Sequence, residues 1–347
     1  MLKKIDWDSQ IGRRLRLRDL HVFFTVAQRG SMAKAAAQLG VSTPTVSEVI
    51  ADLEHWLGVR LLDRSPKGVE PTGYGHALLK RTLIVFDELK QSIKDIEFLA
   101  DPTSGELRIG CPEAIAAILP PILESFSDRY PRVVMLVEQV GTTTLELPGL
   151  RERKFDLVLG RLATPIMGGA FADDLNIEVL FDDQLVVAAG MRSRWARRRK
   201  IDLAELVNEP WVLATSDSWN HRILSEAFQT RGISMPKITL KTFSVHIRTD
   251  LLANGRFITA LPKSLVDRYL LKALPVDLPN RPWPVTAVTV KNRTLNPVVE
   301  RFIEHVRDFG GPLYGAGQPK RRRLAQIPAR HQDGRNGVGR GLVSTRR

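Results

Sequence analysis

The run Gly30-Ser31-Met32-Ala33-Lys34-Ala35-Ala36-Ala37-Gln38-Leu39-Gly40-Val41-Ser42-Thr43-Pro44-Thr45-Val46-Ser47-Glu48-Val49-Ile50 holds two helix starts separated by one tight turn. Ser31 caps a helix of strong formers with small side chains, which lets a neighbouring helix come close, and Gly40 stops it. Past Gly40-Val41-Ser42, Thr43 followed by Pro44 has the form of an N-cap and a proline at the first helical position. Val46, Ile50, Leu53 and Leu57 then repeat at i, i+4, i+7 and i+11, the apolar face of a second helix. Helix, glycine turn and helix thus follow one another between Ser31 and Leu57.

Upstream, Leu20, Phe23, Phe24 and Ala27 mark one face of a short helix over 15–29 that Gly30 ends. Downstream, residues 61–71 read as a two-stranded turn with Lys67-Gly68 at its tip, a wing suited to lie against phosphates. Beyond Thr72 a helix runs to about Ala100 with Leu79, Phe86, Leu89, Ile93, Ile96 and Ala100 at alternating spacings of three and four, Thr82 being the polar exception. A heptad seam on a helix roughly 40 Å long predicts pairing with a second copy.

Asp101-Pro102-Thr103-Ser104-Gly105 is a linker of turn formers, after which the apolar period changes. Short apolar runs at 107–110, 133–137, 156–160, 177–189, 211–214 and 257–261 read as strands alternating with helical segments, hence βαβ units and a mostly parallel sheet. A last amphipathic helix, Pro297 to Phe309, carries Val298, Phe302, Val306 and Phe309 on one side. From Gly310 onward glycine and arginine dominate, which predicts a disordered tail. The expected division is a helix-turn-helix unit with its wing over 1–71, a dimerisation helix and hinge over 72–103, an α/β unit over 104–310 and a basic tail over 311–347.

The chain has 43% hydrophobic and 26% charged residues and a formal net charge of +13, which suits a globular protein with a phosphate-rich partner. The tail holds nine basic residues against the single acid Asp333, a net of +8 that leaves +5 for residues 1–310. Lys320-Arg321-Arg322-Arg323 would add affinity for such a partner by counterion release or is simply a solvated tail, whereas Arg197-Arg198-Arg199-Lys200 reads as an exposed loop face. Cys111 is the only cysteine, so no disulfide framework and no C-x-x-C site exists, and the natural setting is a reducing cytoplasm. Acids at the start oppose a signal peptide, and no run is long enough to span a bilayer. Phosphate-loop, dinucleotide, H-E-x-x-H and G-x-S-x-G motifs are all missing. The reading is therefore of a non-enzyme with no cofactor and no metal. Cys111 is expected to pack rather than react, and the sequon Asn292-Arg293-Thr294 carries no weight.

Residues 15–72 resemble the winged helix-turn-helix of LysR-type transcriptional regulators. The matching string is Leu20-x-x-Phe23, then Gly30-Ser31-Met32-x-x-Ala35-Ala36-x-x-Leu39-x-Val41-Ser42-x-Pro44-x-Val46-Ser47-x-x-Ile50-x-x-Leu53-Glu54-x-x-Leu57-Gly58-x-x-Leu61-Leu62-x-Arg64, then Thr72-x-x-Gly75. The order of the remaining parts resembles the family through about residue 309. Asp6-Trp7 and Leu99-Ala100-Asp101-Pro102 are also similar to the branch that includes the galactose-binding protein regulator of soil bacteria. The resemblance implies an α+α/β architecture: an N-terminal winged helix-turn-helix, a long dimerisation helix and a two-lobed α/β effector domain like type 2 periplasmic binding proteins. It places residues 104–162 and 266–309 in one lobe and 163–265 in the other, with the ligand between them.

The second helix of a helix-turn-helix puts its N-terminal residues near base edges in the major groove. The expected DNA contacts are Ser42, Thr43, Thr45, Ser47 and Glu48 on that helix, with Ser31 and Lys34 on the first and Arg64 and Lys67 in the wing. Ser42 and Thr43 can also simply cap their helix, and Lys34 can be a solvated lysine. The family usually has other residues at Thr43, Thr45, Glu48 and Ala51, so base contacts do not transfer. Helix starts facing the cleft implicate Glu113, Thr142 and Thr143, Ser216 and Ser218, and Ser244 and His246 as effector contacts. Glu113 and Asp217 are acids where the family's common carboxylate effectors would bind, which shifts the expectation towards a neutral polyol or sugar. The expected partners are double-stranded DNA, a small-molecule effector, further copies of the same chain as dimer or tetramer, and RNA polymerase, with no membrane, on the cytoplasmic nucleoid. The competing reading is a small-molecule sensing module with only non-specific DNA affinity.

Overall fold

A computed structural model describes residues 15–66, 68–141, 147–161, 173–215, 218–279 and 283–314. Asp6, Trp7, Lys67, Thr142, Thr143, Thr144, Ser216, Asp217 and the basic tail past Tyr314 lie outside the described residues.

The first unit is α1 (Leu17–Arg29), α2 (Met32–Leu39), α3 (Thr43–Leu57) and the hairpin β1 (Leu62–Ser65) and β2 (Gly68–Pro71). Val22, Phe23, Val26, Ala35, Ala36, Val46, Ile50, Leu53, Leu61, Leu62 and Val69 form its core. Ala35 and Ala36 are buried, the close approach that small side chains permit. The cap of α3 is Ser42, not Thr43: its Oγ accepts from the Thr45 amide at 3.3 Å. Thr43 is instead the first helical residue, because Ser42 already holds the extended conformation that a cap requires. The wing docks on the α1–α2 turn, where the Val69 amide donates to the Gly30 carbonyl at 2.9 Å. Any side chain at Gly68 (φ +136°) would place its Cβ 2.7 Å from that carbonyl oxygen.

α4 (Gly73–Ala100) is one helix of 28 residues, and its seam divides. Leu79 packs against the core of the first unit, and the Phe86 ring meets His21 and Phe24 edge-on at 5.8 and 6.1 Å. Leu89, Ile93 and Ile96 are exposed. The expected uniform heptad is therefore split: its first half is used within the chain, because α1 lies alongside, and its second half is open.

The rest forms two lobes. Lobe I is built on β3 (Ser104–Cys111), α5 (Glu113–Ala116), α6 (Pro120–Arg129), β4 (Arg132–Gln139), α7 (Pro148–Arg151), β5 (Leu157–Arg161) and β6 (Leu175–Phe181). Lobe II follows with β7 (Leu185–Ala189), β8 (Trp211–Leu213), α8 (Trp219–Gln229), β9 (Ile238–Lys241), α9 (Val245–Ala253), β10 (Ile258–Pro262), α10 (Lys263–Arg268) and β11 (Lys272–Ala273). The chain then returns to lobe I for β12 (Val285–Val290) and α11 (Pro297–His305), and ends in α12 (Gly311–Tyr314).

The sheet orders are β4-β3-β5-β12-β6 and β11-β7-β10-β8-β9. Both are mixed rather than mostly parallel: β3 is parallel to β4 and β5, but β12 is antiparallel to β5 and β6. The single run expected over 177–189 breaks at Asp182-Asp183-Gln184, and its halves enter different sheets. Lobe I accordingly holds β6, and lobe II extends past residue 265 to β11, shifting both expected lobe boundaries. The folded body also reaches beyond residue 310, because the Tyr314 ring stacks on Phe181 and its hydroxyl donates to the Ile118 carbonyl at 3.1 Å.

Candidate functional site

On α3, Val46, Ile50 and Leu53 turn inward, while Ser42, Thr43 and Glu48 are exposed and Thr45 and Ser47 half-buried. The Ser42 and Thr45 hydroxyls lie 2.8 Å apart, so they brace one another at the helix start. Ser31 caps α2 through the Lys34 amide at 3.4 Å, with the Lys34 side chain exposed. Arg64 is exposed on β1. Polar and basic groups thus share the outer side of α2, the start of α3 and the wing.

Two residues of the motif act from behind this face. Glu54 Oε1 accepts from the amides of Leu61 and Leu62 at 2.7 and 3.0 Å, which ties α3 to the wing. Gly75 is required because a Cβ there would lie 2.1 Å from the Leu61 carbonyl oxygen. Thr72 Oγ1 meanwhile donates to Arg60 O at 2.7 Å and accepts from Gly75 N at 3.1 Å. Glu54 was visible in the sequence string, but its task is not, because it caps a strand outside its own helix.

In the two-lobed region, three strand-to-helix junctions lie at carboxyl ends of strands, the end at which α/β sheets bind ligands. β3 leads through Pro112 into Glu113, β8 leads to Ser218, and β9 leads to Ser244. Ser218 Oγ accepts from the His221 amide at 3.3 Å and Ser244 Oγ from the Ile247 amide at 3.4 Å, so each caps its helix. The lobes meet where Glu113 Oε1 accepts from Ser244 Oγ at 3.3 Å and from the His246 amide at 3.1 Å. His246 takes part through its backbone; its ring is exposed, 3.5 Å from Asp250. The structure therefore unites Glu113, Ser244 and His246, and sets Ser218 at the same end of the neighbouring strand.

Two buried polar networks in this region leave no periodic trace in the sequence. At the crossover into lobe II, Arg161 Nη2 donates to Asp183 Oδ2 at 2.7 Å, and Ser264 Oγ donates to the same oxygen at 2.6 Å. The Arg161 guanidinium also lies over the Trp283 ring at 5.5 Å. Arg293 Nε and Nη2 clasp Asp87 of α4 at 2.8 and 3.0 Å, and Nη2 also reaches Asp156 at 3.2 Å. The tripeptide that reads as a sequon is thus a left-handed turn at Asn292 (φ +58°) presenting a docking arginine. Cys111 is fully buried, and burial pushes its thiol up to about 11, away from nucleophile chemistry. No cluster of three or more metal-ligating side chains occurs among the described residues.

Two family profiles match the chain. One, described as a bacterial regulatory helix-turn-helix protein of the lysR family, matches residues 17–76. The other, the LysR substrate binding domain, matches residues 100–311. The HTH-type transcriptional regulator TdcA of Escherichia coli K12 is 27% identical over 294 residues, covering 84% of this chain and 92% of that protein. The transcriptional dual regulator GltC of Bacillus subtilis 168 is 26% identical, covering 86% and 99%. Full-length OxyR from Pseudomonas aeruginosa shares the fold at a TM-score of 0.62 with 22% identity, over 88% of this chain and 99% of that one.

Proposed function

Because this chain belongs to the LysR family of bacterial transcriptional regulators, we propose that it reads its operator through the exposed start of α3 and answers to a neutral hydroxyl-bearing solute, such as a sugar, held between its lobes. It is a DNA-binding regulator with an effector-binding domain, not an enzyme. In this reading Thr43, Thr45 and Glu48 face base edges, with Ser42 and Ser47 beside them, while Ser31, Lys34, Arg64 and Lys67 hold phosphates and fix register. Glu113, Ser218, Ser244 and His246 border the effector, together with Thr142, Thr143 and Ser216. Residues 1–71 form the DNA-binding unit, 72–103 the dimerisation helix and hinge, and 104–314 the effector unit, since Tyr314 packs into it, with the remainder as the tail.

The observation that carries the DNA assignment is the polarity of α3: Thr43 and Glu48 are exposed while the opposite face is fully buried. Self-association as a dimer or tetramer is supported by the open stripe on α4, where Leu89, Ile93 and Ile96 are 42%, 58% and 67% exposed. Dimer symmetry would match an inverted-repeat operator. The proposed setting is the cytoplasm, on the nucleoid, with RNA polymerase as the partner at the promoter. No helix among the described residues is long and apolar enough to cross a membrane.

Fluorescence anisotropy with DNA from upstream of the protein's own gene, against a shuffled duplex of equal length, tests this at physiological salt. Preference by about a thousandfold or more is the expected result, the scale of specific over non-specific binding. Equal and steeply salt-dependent binding to both duplexes would favour the sensing module with non-specific DNA affinity.

A further inference from the structure

Beneath the α9 start lies a guanidinium that the readings above do not use. Arg248 stands one turn into α9 and is 3% exposed. Its Nη1 donates to Ala260 O at 3.4 Å, and its Nε has no hydrogen-bond partner among the described residues. A buried cation without a carboxylate against it is costly. Burial pushes this guanidinium down to about 10, and the charge of Glu113 pulls it back up. The start of α9 adds its positive dipole end to the same region, and its His246 amide points at Glu113 rather than into its own helix. Together, the His246 amide, the Ser244 hydroxyl and the helix terminus receive one carboxylate, and the buried Arg248 charge favours it from behind without touching it.

Glu113 of lobe I already supplies that carboxylate, with both of its cross-lobe hydrogen bonds falling on Oε1. We propose that Glu113 is the cleft's built-in carboxylate ligand: it fills from within an anion site formed by the α9 start and Arg248, tethers the lobes, and thereby excludes carboxylate effectors in favour of hydroxyl-bearing neutral ones. A ligand carboxylate would have to expel Glu113 and meet its charge. A ligand hydroxyl can instead donate to Oε2 and leave the tether in place. The inference rests on the cleft being the effector site, and it deepens that assignment by naming the residue that sets ligand charge.

The test uses the full chain and acetate as probe. Glu113→Ala vacates the site, so acetate is expected to raise the variant's melting temperature above that in chloride of equal ionic strength, while the wild-type protein gains nothing. Equal responses of both proteins, or no acetate-specific gain in the variant, would overturn the proposal. Should Glu113→Ala fold poorly, hydrogen exchange of the His246 amide in Glu113→Gln decides. Exchange faster by about tenfold is expected, the scale on which a hydrogen bond weakens when its acceptor loses its charge, and unchanged protection would reject the tether. The effector assignment is judged separately, by whether any neutral solute shifts operator affinity of the wild-type chain. Failure of the acetate test alongside such a shift would remove the built-in ligand and leave the cleft assignment standing.

Discussion

Thr43 and Thr45 have different surroundings although they are only two residues apart on α3. Thr43 is exposed at the first helical position, whereas the Thr45 hydroxyl is engaged with Ser42 at 2.8 Å. Thr43→Ala is expected to cost about 1–3 kcal/mol on the chosen operator and little on other DNA, whereas Arg64→Ala weakens all duplexes alike and flattens the salt slope by about one unit. Competition anisotropy over a salt series separates the two patterns, and uniform losses for Thr43→Ala would refute its readout role. Histidines carry a second residue-scale prediction. Burial holds His305 below the ordinary 6.5, and the same cause lowers His221. The unfolded chain therefore binds protons more readily than the native one. Their contribution to stability is fully present above about pH 6.5 and is lost as pH falls through the lower folded values. Urea midpoints measured on the two sides of that point should differ, and His305→Gln should reduce the difference.

At the scale of elements, α4 is asked to do two jobs by one apolar pattern. Its first half closes the core of the DNA-binding unit through Leu79 and Phe86, and its second half leaves Leu89, Ile93 and Ile96 open. A charge in the open half, Ile93→Glu, is expected to convert dimers to monomers in sedimentation without unfolding the chain. The equivalent change at Phe86 should instead loosen α1 and lower the melting temperature. An unchanged dimer in Ile93→Glu would show that the stripe is not the interface.

For the molecule as a whole, the point of mechanical continuity is the clasp between α4 and lobe I. Arg293, Asp87 and Asp156 are all buried, with Arg153 3.6 Å from Asp87. Removing Arg293 takes the ion partner from buried Asp156 and leaves Asp87 only the more distant Arg153, so Arg293→Ala is expected to destabilise by about 3–5 kcal/mol. It should also split calorimetric unfolding into separate transitions for the two ends of the chain. A single unchanged transition would mean that the effector unit and α4 are held together elsewhere. Any signal passing from cleft to operator must use an element that both ends bias, and this clasp is where such an element leaves lobe I.

How much of this was legible in the chain follows from the range of the forces involved. Caps, glycine stops, apolar periods and the spacing of Gly30, Ser31, Pro44 and Gly75 are local, so the sequence by itself determined the winged helix-turn-helix, the long helix and an α/β remainder. It also determined that Glu113 would be an acid at a helix start. Pairing across long separations is not local. The split of the 177–189 run between two sheets, the mixed strand directions, the division of the α4 seam and the folding of residues 311–314 onto Phe181 were decided only by the tertiary structure. So were the partners of Arg161, Arg293 and Glu113, which lie 22, 206 and 131 residues away. A charged residue has no period that announces its partner. Only when the chain closes does the cost of burying it select which carboxylate or helix start it must meet.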